Sequence, residues 1–216
     1  DEKTVVFNVH LEKPDIFLNK IDIPQVMDVV SKVLKEEFIL SNFNGTLSGP
    51  KGGNGIHIDS RVPINDFAST FQIVALLCLD DFTPTNGSTK IWPGSHKSGV
   101  DPRHLRNTDN IPKASQEFVP KGSVIYTLGQ TWHDVGPNLD GTRRWGIIAY
   151  YSRWWIKPTF NFLHCGQEIF AKLNARQKIL FGFTSNPPSD TKKRINTVIS
   201  LSELSDNYDE ALKTIK

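Results

Sequence analysis

The chain has 216 residues, of which 38% are hydrophobic and 22% charged, a balance that suits a folded domain with a buried core. Its 25 basic and 23 acidic residues leave a net charge of +2, which gives no electrostatic reason to expect a nucleic-acid or membrane-surface partner. No stretch approaches the ~18 consecutive apolar residues of a membrane span, and two cysteines are too few for a disulfide framework. We therefore expect a cytoplasmic protein, although a chain that begins at Asp1 leaves a targeting peptide as an open alternative.

One helical pattern stands out in the N-terminal part of the chain. Val26, Val29, Val30, Val33 and Leu34 recur at helical spacing and predict an amphipathic helix over residues 23–36. Asp22 is the expected N-cap, and Pro24 suits the first turn, where a proline's missing N–H is not needed. We expect the valines to face the core.

Residues 38–158 show a different pattern, in which short β-type runs alternate with turn residues. The predicted strands are Phe38–Leu40, Gly55–Asp59, Phe71–Leu79, Thr89–Trp92, Ser123–Leu128, Trp132–Val135 and Arg144–Arg153. Many short strands separated by Gly, Pro and Asn predict a mainly β sandwich or barrel. Residues 100–120 have few periodic apolar positions and are predicted to form a long loop.

Helical patterns return after Pro158. Apolar spacing predicts helices over about 166–182 and 206–215. The C-terminal helical segment, about 160–216, is too short for a convincing second domain. We expect one domain, 1–216, with a β core over about 38–158 and flanking helices.

His57-Ile58-Asp59 is the first motif that suggests chemistry. In a strand, residues two apart face the same way, so His57 and Asp59 would project together. Two imidazoles and one carboxylate on one face of an octahedral ion are typical of non-haem Fe(II), and they leave positions open for a 2-oxo acid and dioxygen. A His-x-Asp pattern alone is close to a chance occurrence, so a third ligand is required.

His133 is the candidate third ligand, on a segment that continues to Arg144. Asp140-Gly141 predicts a hairpin turn that places His133 opposite about residue 146. Arg144 would then lie about 7 Å along the strand from that position, which suits an acid held by a metal at one end and a guanidinium at the other. The alternative is that Arg144 pairs with an internal aspartate or glutamate.

Three ordered blocks between residues 38 and 157 form a family signature. They are His57-Ile58-Asp59, the segment 86–97 with its Asn86-Gly87 turn and Pro93-Gly94-Ser95-His96, and the segment from His133 to Arg144. Together they resemble the phytanoyl-CoA dioxygenase family of Fe(II)- and 2-oxoglutarate-dependent oxygenases. The middle block is the most specific of the three.

This resemblance implies a double-stranded β-helix, which is a cupin-like jelly-roll barrel. It implies Fe(II) held by His57, Asp59 and His133, with 2-oxoglutarate bound by Arg144 as co-substrate and O2 as oxidant. The implied reaction couples decarboxylation of 2-oxoglutarate, to succinate and CO2, to hydroxylation of a small molecule. Asp59 favours hydroxylation, because related halogenases replace this carboxylate with a small residue.

Some positions depart from the family pattern or stay without a firm role. Leu76 stands where some relatives have an aromatic residue, and Gln72, on the same strand face, is a candidate for an additional contact to 2-oxoglutarate. Arg61, in the loop after Asp59, is a candidate substrate contact, with an ordinary surface position as the alternative. The residues expected to lie outside the site are Arg143, His10, His96, His104, His164 and the basic cluster Lys192-Lys193-Arg194.

Two other classes of function stay open on the sequence. The same three ligands could hold a structural or hydrolytic zinc ion, which would have no need for Arg144. A carbohydrate-binding jelly roll would use Trp154 or Trp155 as a stacking platform, and only one of the two could line a given strand face. The identity of the substrate and the oligomeric state are not predicted.

Overall fold

The computed structural model describes residues 4–50, 52–53, 55–60, 70–105, 111–185 and 200–215. The strands are β1 Thr4–Val6, β2 Phe38–Leu47, β3 Gln72–Cys78, β4 Thr89–Ile91, β5 Ser115–Gln116, β6 Val124–Leu128, β7 His133–Val135 and β8 Trp145–Arg153. The α-helices are α1 Val9–Glu12, α2 Pro14–Phe17, α3 Pro24–Leu34, α4 Gly166–Lys172, α5 Ala175–Leu180 and α6 Tyr208–Ile215. The chain divides into two compact units, the first formed by 1–7 and 44–150 and the second by 8–43 and 151–216. A single domain over 1–216 stays a prediction.

Two sheets give the protein its mainly β character. A five-stranded sheet has the order β1-β2-β8-β3-β6, and a three-stranded sheet has the order β5-β4-β7. The sheets are antiparallel, and they do not close into a barrel within the described part of the chain. The strands predicted over 71–79, 89–92, 123–128 and 132–135 are confirmed to within two residues, whereas β2 is much longer than the predicted Phe38–Leu40.

Strand β3 lies inside the five-stranded sheet, between β8 and β6, and its sequence is apolar on both faces. Residues 73–78 are all buried, as expected of a strand covered on two sides. In the pairing with β6, Leu76 lies opposite Ile125, and both belong to a buried cluster with Cys78 and Phe82. Cys78 is therefore the small core residue that its apolar surroundings indicate.

The predicted strand Gly55–Asp59 is wrong. Only His57 makes a β-bridge there, with His133, and the residues beside it are irregular. Gly55 has a φ of 90°, which takes the backbone out of the extended region just before the histidine. The predicted loop 100–120 contains a short 3-10 turn, Pro102–His104, and strand β5.

The predicted hairpin between His133 and Arg144 is also wrong. His133 lies opposite Ile91 of β4, whereas β8 belongs to the other sheet. The Asp140-Gly141 turn forms locally, and the Asn138 side chain accepts from the Gly141 N–H and donates to the Thr142 carbonyl. The Asn138 backbone N–H, however, donates to the Gly49 carbonyl. Pairing with residues far along the chain therefore leads this segment from one sheet to the other.

The second unit contains the six α-helices. Helix α3 buries Val26, Val30 and Leu34, whereas Val29 and Val33 are only partly buried. The helix begins after Ile23 and has no side-chain cap, so the predicted Asp22 cap is wrong. The single helix predicted over 166–182 is two helices, because Asn174 forms a capping box with Gln177 and starts a new one. Helices α1 and α2 were not predicted. Among the described residues, we find no helix with the length and apolar character needed to cross a bilayer.

His10 of α1 lies in the core of the second unit. It is fully buried, with its ring edge-on to Phe43, Phe162 and Phe181 at centroid distances of 5.3, 4.9 and 5.5 Å. Neither ring nitrogen has a hydrogen-bond partner among the described residues. Burial lowers the pKa of His10 to about 3, so the ring is neutral at physiological pH.

Candidate metal centre

His57 is positioned by the glycine-rich segment that precedes it. A side chain at Gly53 would collide with Asp134, and one at Gly52 would come within 2.6 Å of the Val135 carbonyl oxygen. The two glycines therefore allow the segment to pass directly against β7, where the Gly53 N–H donates to that carbonyl. His57 then exchanges two backbone hydrogen bonds with His133, of 3.1 and 3.0 Å.

Asp59 is held by a backbone contact to a different segment. Its N–H donates to the Gly129 carbonyl oxygen at 3.0 Å, and that of Ser60 donates to the same oxygen at 2.8 Å. Gly129 itself donates to the Gln72 carbonyl at the start of β3. Asp59 is thus fixed to the end of the β3–β6 pair, although it does not lie in a strand as predicted.

The three predicted ligands converge. One ligand atom from each of His57, Asp59 and His133 lies within 4.8 Å of the other two. Oδ2 of Asp59 lies 3.3 Å from Nε2 of His133, and Oδ1 of Asp59 lies 4.0 Å from Nε2 of His57. This is the spacing of groups that face one central point, and all three residues are partly shielded from solvent.

Both histidines present the same nitrogen to that point. Nδ1 of His57 lies 2.8 Å from the Gly55 carbonyl oxygen, and Nδ1 of His133 lies 2.9 Å from the Thr131 carbonyl oxygen. A carbonyl oxygen can only accept, so in each neutral ring Nδ1 carries the proton and Nε2 keeps its lone pair. In both cases Nδ1 is hydrogen-bonded to the carbonyl of the residue two positions earlier in the chain. This hydrogen bond orients each ring for metal binding.

A pocket opens beside the three candidate ligands, and five of its eleven lining residues are aliphatic. Its lining residues are His57, Asp59, Val74, Leu76, Thr89, Ile125, Thr127, His133, Val135, Ile148 and Tyr150. Tyr150 Oη donates to an Asp59 oxygen at 3.4 Å. Neither Tyr150 nor Thr89 was predicted to belong to the site. Leu76 lines the pocket, at the position where some relatives have an aromatic residue.

Arg144 is buried just before β8 and has an incomplete set of partners. Only 1% of the residue is exposed, one terminal nitrogen donates to the Gly87 carbonyl at 2.6 Å, and the guanidinium lies 4.2 Å from the Phe82 ring centroid. Its Nε has no partner among the described residues, and none of their carboxylates forms an ion pair with it. Burial lowers its pKa to about 10. The carboxylate of Asp80, which accepts from the N–H of the next residue, Trp145, opposes this effect and raises the pKa of Arg144. An internal acid therefore stays an alternative partner for Arg144.

The position of Arg144 relative to the pocket follows from the strand that comes after it. Arg144 lies one residue before β8 and is not among the residues that line the pocket. Strand alternation carried back to residue 144 would place its side chain on the face of Ile148 and Tyr150, which do line the pocket. A buried guanidinium with an unused donor is destabilising unless an anion binds to it. The binding of 2-oxoglutarate by Arg144 therefore stays a prediction.

The remaining candidates lie apart from the metal ligands. Gln72 begins β3 and packs over Gly129, and it is not among the residues that line the pocket, so its contact with 2-oxoglutarate stays a prediction. Arg143 is exposed, as expected. His10, His96, His104 and His164 are not part of the cluster of ligands. Arg61 and the cluster Lys192-Lys193-Arg194 lie outside the described residues.

Comparison with known proteins places this site in a family. The profile of phytanoyl-CoA dioxygenase (PhyH) matches residues 2–145. Uncharacterized protein Rv1501 of Mycobacterium tuberculosis is 27% identical over 181 residues, which cover 78% of this chain and 63% of that protein. Dioxygenase cdmD of Talaromyces verruculosus is 29% identical over 126 residues, covering 58% and 39%. The chain therefore spans less than two thirds of the length of these relatives.

Solved structures show the same fold. HygX from Streptomyces hygroscopicus, with nickel and 2-oxoglutarate bound, superposes with a TM-score of 0.63 at 17% identity, covering 73% of this chain and 72% of that one. The epimerase SnoN, in complex with Fe3+ and alpha ketoglutarate, superposes with a TM-score of 0.59 at 17% identity, covering 73% and 66%. These likenesses confirm the predicted jelly-roll class. The profile match over most of the chain shows that it belongs to the phytanoyl-CoA dioxygenase family.

Proposed function

We propose that this protein is an Fe(II)- and 2-oxoglutarate-dependent oxygenase that hydroxylates a small molecule. The convergence of His57, Asp59 and His133, with both Nε2 lone pairs turned towards one point, is the observation that supports this most directly. Two imidazoles and one carboxylate are the donor set that suits non-haem Fe(II). The solved relatives that contain iron or nickel and 2-oxoglutarate support the same choice.

Each group in the pocket has a distinct task in this proposal. His57, Asp59 and His133 would hold the metal, and Arg144 would bind the distal carboxylate of 2-oxoglutarate and so orient the co-substrate. Iron(II), when bound, supplies the centre at which O2 is activated for oxidation of a C–H bond. Overall, one atom of O2 enters succinate, the other enters the hydroxyl group of the product, and CO2 leaves.

The pocket walls explain why this chemistry would be kept from water. Val74, Leu76, Ile125, Val135 and Ile148 supply aliphatic surface beside the ligands. Such a lining excludes solvent and strengthens the attraction between Arg144 and a bound carboxylate. It also favours a small organic substrate, and the net charge of +2 gives no reason to propose a nucleic acid or a membrane.

Hydroxylation is the finer part of the proposal. Asp59 occupies the ligand position that related halogenases leave to a halide, which favours transfer of oxygen over halogenation. Because one structural neighbour is described as an epimerase, the fate of the substrate has to be measured by product analysis. Incorporation of label from 18O2 into the product supports hydroxylation, and loss of substrate without incorporation contradicts it.

A zinc hydrolase or a carbohydrate-binding module is a weaker proposal. Neither has a use for a buried guanidinium whose Nε lacks a partner. Trp155, the more plausible stacking residue, is 49% exposed, but its indole N–H donates to Glu36 at 3.1 Å.

Anaerobic titration tests the proposed function. Protein with Fe(II) is titrated with 2-oxoglutarate, and the weak visible charge-transfer absorption of the chelate is followed. We expect saturable absorption in the wild type, its loss in His133→Ala, and no change in His164→Ala, which removes an exposed histidine outside the site. Well-folded wild-type protein without this absorption would rule out the proposed co-substrate.

A further inference from the structure

Ser95, in the Pro93-Gly94-Ser95-His96 segment, contacts the backbone beside a candidate metal ligand. Its Oγ accepts a hydrogen bond of 2.8 Å from the N–H of Trp132, the residue before His133. This segment belongs to the most specific block of the family signature, yet none of its four residues is a candidate ligand or lines the pocket. The proposed function therefore leaves the hydroxyl of Ser95 without a task.

The turn after β4 places Ser95 against Trp132. Gly94 has a φ of 81°, a left-handed conformation that glycine adopts without strain. The Ser95 N–H closes the turn by donating to the Trp92 carbonyl at 3.1 Å, and the Trp92 N–H donates to the Trp132 carbonyl at 3.0 Å. Trp132 is thus held through both of its backbone groups. Only the contact to its N–H depends on a side chain, that of Ser95.

The N–H that Ser95 binds belongs to the same peptide group as the carbonyl that orients His133. The C=O of Thr131 and the N–H of Trp132 are joined by one planar peptide bond and point in opposite directions. The Thr131 oxygen lies 2.9 Å from Nδ1 of His133, at the end opposite to the contact with Ser95. A rotation of this peptide plane away from Ser95 would therefore turn the carbonyl away from the imidazole.

The hydrogen bonds through this peptide group all run in one direction. Nδ1–H of His133 donates to the Thr131 carbonyl, and the Trp132 N–H donates to Ser95. Hydrogen bonds in such a chain polarise one another, so an acceptor at the N–H makes the carbonyl a stronger acceptor. A stronger acceptor at Nδ1 fixes the ring and strengthens Nε2 as a donor to a metal. The Ser95 hydroxyl can therefore act on the metal centre by orientation and by polarisation.

We propose that Ser95 is a positioning residue for the metal centre, whose hydroxyl holds the Thr131–Trp132 peptide group and, through it, the ring of His133. This inference rests on the part of the proposed function that makes His133 a metal ligand. It does not depend on 2-oxoglutarate. It also gives a physical reason for a hydroxyl-bearing residue in a loop that does not line the pocket.

The first test is the affinity for Ni(II), measured by calorimetric titration. Loss of a group that supports a ligand typically lowers metal affinity 10- to 100-fold, and we expect about a tenfold loss in Ser95→Ala because the hydroxyl acts through a peptide group. Ser95→Thr keeps the hydroxyl and is expected to bind within about threefold of the wild type. Ser95→Cys puts a weak acceptor in the same place and should lose affinity like Ser95→Ala, so it replaces that variant if the alanine protein does not fold.

Ser98→Ala is the matched control, in the same loop. Ser98 Oγ also accepts from a backbone N–H, that of Val100 at 3.3 Å, but this contact does not lead to a candidate ligand. We expect Ser98→Ala to bind Ni(II) with wild-type affinity. A loss as large as in Ser95→Ala would show that any disturbance of the loop weakens the site, and it would overturn the assignment to the hydroxyl of Ser95.

The second test reads the two imidazoles separately. With Co(II) in place of Fe(II), the Nδ1–H proton of each coordinated histidine gives its own paramagnetically shifted NMR line that exchanges with solvent. We expect two such lines in the wild type and in Ser98→Ala. In Ser95→Ala, one line should move and exchange faster, because the carbonyl that holds the proton of His133 is no longer fixed, while the line of His57 stays. Equal changes in both lines would indicate a general structural role and contradict the proposal.

The outcomes distinguish this inference from the proposed function. If the wild type binds Ni(II) through His133 but Ser95→Ala keeps full affinity and both NMR lines, the inference about Ser95 is wrong and the function stands. If the wild type binds Ni(II) but not 2-oxoglutarate, the proposed co-substrate fails, while the expected losses in Ser95→Ala would still support the inference. If the wild type binds neither Ni(II) nor Co(II), both proposals fail.

Discussion

Two regions of this chain shield histidines from water for opposite purposes. In the first unit, His57 and His133 each hold Nδ1 against a backbone carbonyl and turn Nε2 towards Asp59. In the second unit, His10 has no partner for either nitrogen among the described residues and is enclosed by aromatic edges. The difference shows that burial does not identify a metal ligand. A ligand is identified by an acceptor that fixes one nitrogen and an acid that faces the other.

Removal of the only anionic ligand is expected to have the largest effect. Loss of groups that merely support a ligand typically lowers metal affinity 10- to 100-fold, so Asp59→Ala should lower it by more than about 100-fold. Calorimetric titration with Ni(II), which is stable in air, measures the change. His10→Met is the matched control and should bind Ni(II) like the wild type. A comparable loss of Ni(II) affinity in His10→Met would contradict the distinction between the candidate ligands and the core histidine.

Arg144→Met tests whether the pocket has separate metal and acid ends. We expect 2-oxoglutarate affinity to fall by roughly 100-fold, because the charge-assisted hydrogen bonds to the carboxylate are lost. Ni(II) affinity without 2-oxoglutarate should change less than about threefold. Arg143→Met removes the exposed neighbouring charge and serves as the control. Equal losses of metal and 2-oxoglutarate in Arg144→Met would show that this arginine is structural.

His10 predicts how the second unit responds to acid. The pKa of His10 is about 3 in the folded protein, against 6.5 in an unfolded chain. Well above pH 6.5 His10 is neutral in both states, so protonation of His10 does not reduce the free energy of unfolding there. As the pH falls from 6.5 towards 3, His10 binds a proton in the unfolded chain but not in the folded protein. The free energy of unfolding therefore decreases by about 1.4 kcal/mol per pH unit. Urea unfolding at pH 6.5, 5.5 and 4.5 should show this extra slope in the wild type. The extra slope should be absent in His10→Met. The same pH dependence in the wild type and in His10→Met would contradict the lowered pKa of His10.

Tyr150→Phe is expected to give the smallest effect. The phenol contributes one long hydrogen bond of 3.4 Å to a ligand oxygen of Asp59. Its removal should lower Ni(II) affinity by no more than about tenfold, the value of an ordinary hydrogen bond. Calorimetric titration of Tyr150→Phe and Asp59→Ala with Ni(II) under the same conditions compares their losses of affinity. A loss in Tyr150→Phe as large as that in Asp59→Ala would mean that the phenol holds the carboxylate in place.

The sequence was sufficient to propose the ligands and insufficient for the way their side chains are brought together. His57, Asp59, His133 and Arg144 were found from spacing and from a family signature, and the apolar run of β3 predicted a buried strand. The hairpin from His133 to Arg144 was wrong because a turn signal reports local geometry, whereas the partner of a strand is set by residues distant in the chain, here Ile91. The single helix over 166–182 was predicted from apolar spacing alone, which does not register the capping box of Asn174 and Gln177 that divides it.

Other features could not be found from residue types at all. The carbonyl anchors at Gly55 and Thr131 are backbone groups, which every residue has. The contact of Ser95 Oγ with the Trp132 N–H depends on how two segments far apart in the chain meet in three dimensions. His10 was expected to lie outside the site, and its aromatic surroundings come from residues far apart in the chain, Phe43, Phe162 and Phe181.

Anomalous diffraction at the iron absorption edge tests the central claim most directly. Crystals are grown anaerobically with Fe(II) and 2-oxoglutarate. We predict one iron peak bonded to Nε2 of His57, Nε2 of His133 and a carboxylate oxygen of Asp59, with the distal carboxylate of 2-oxoglutarate at Arg144. An iron bound through Nδ1, or held by other residues, or a protein that takes up no iron would contradict the account.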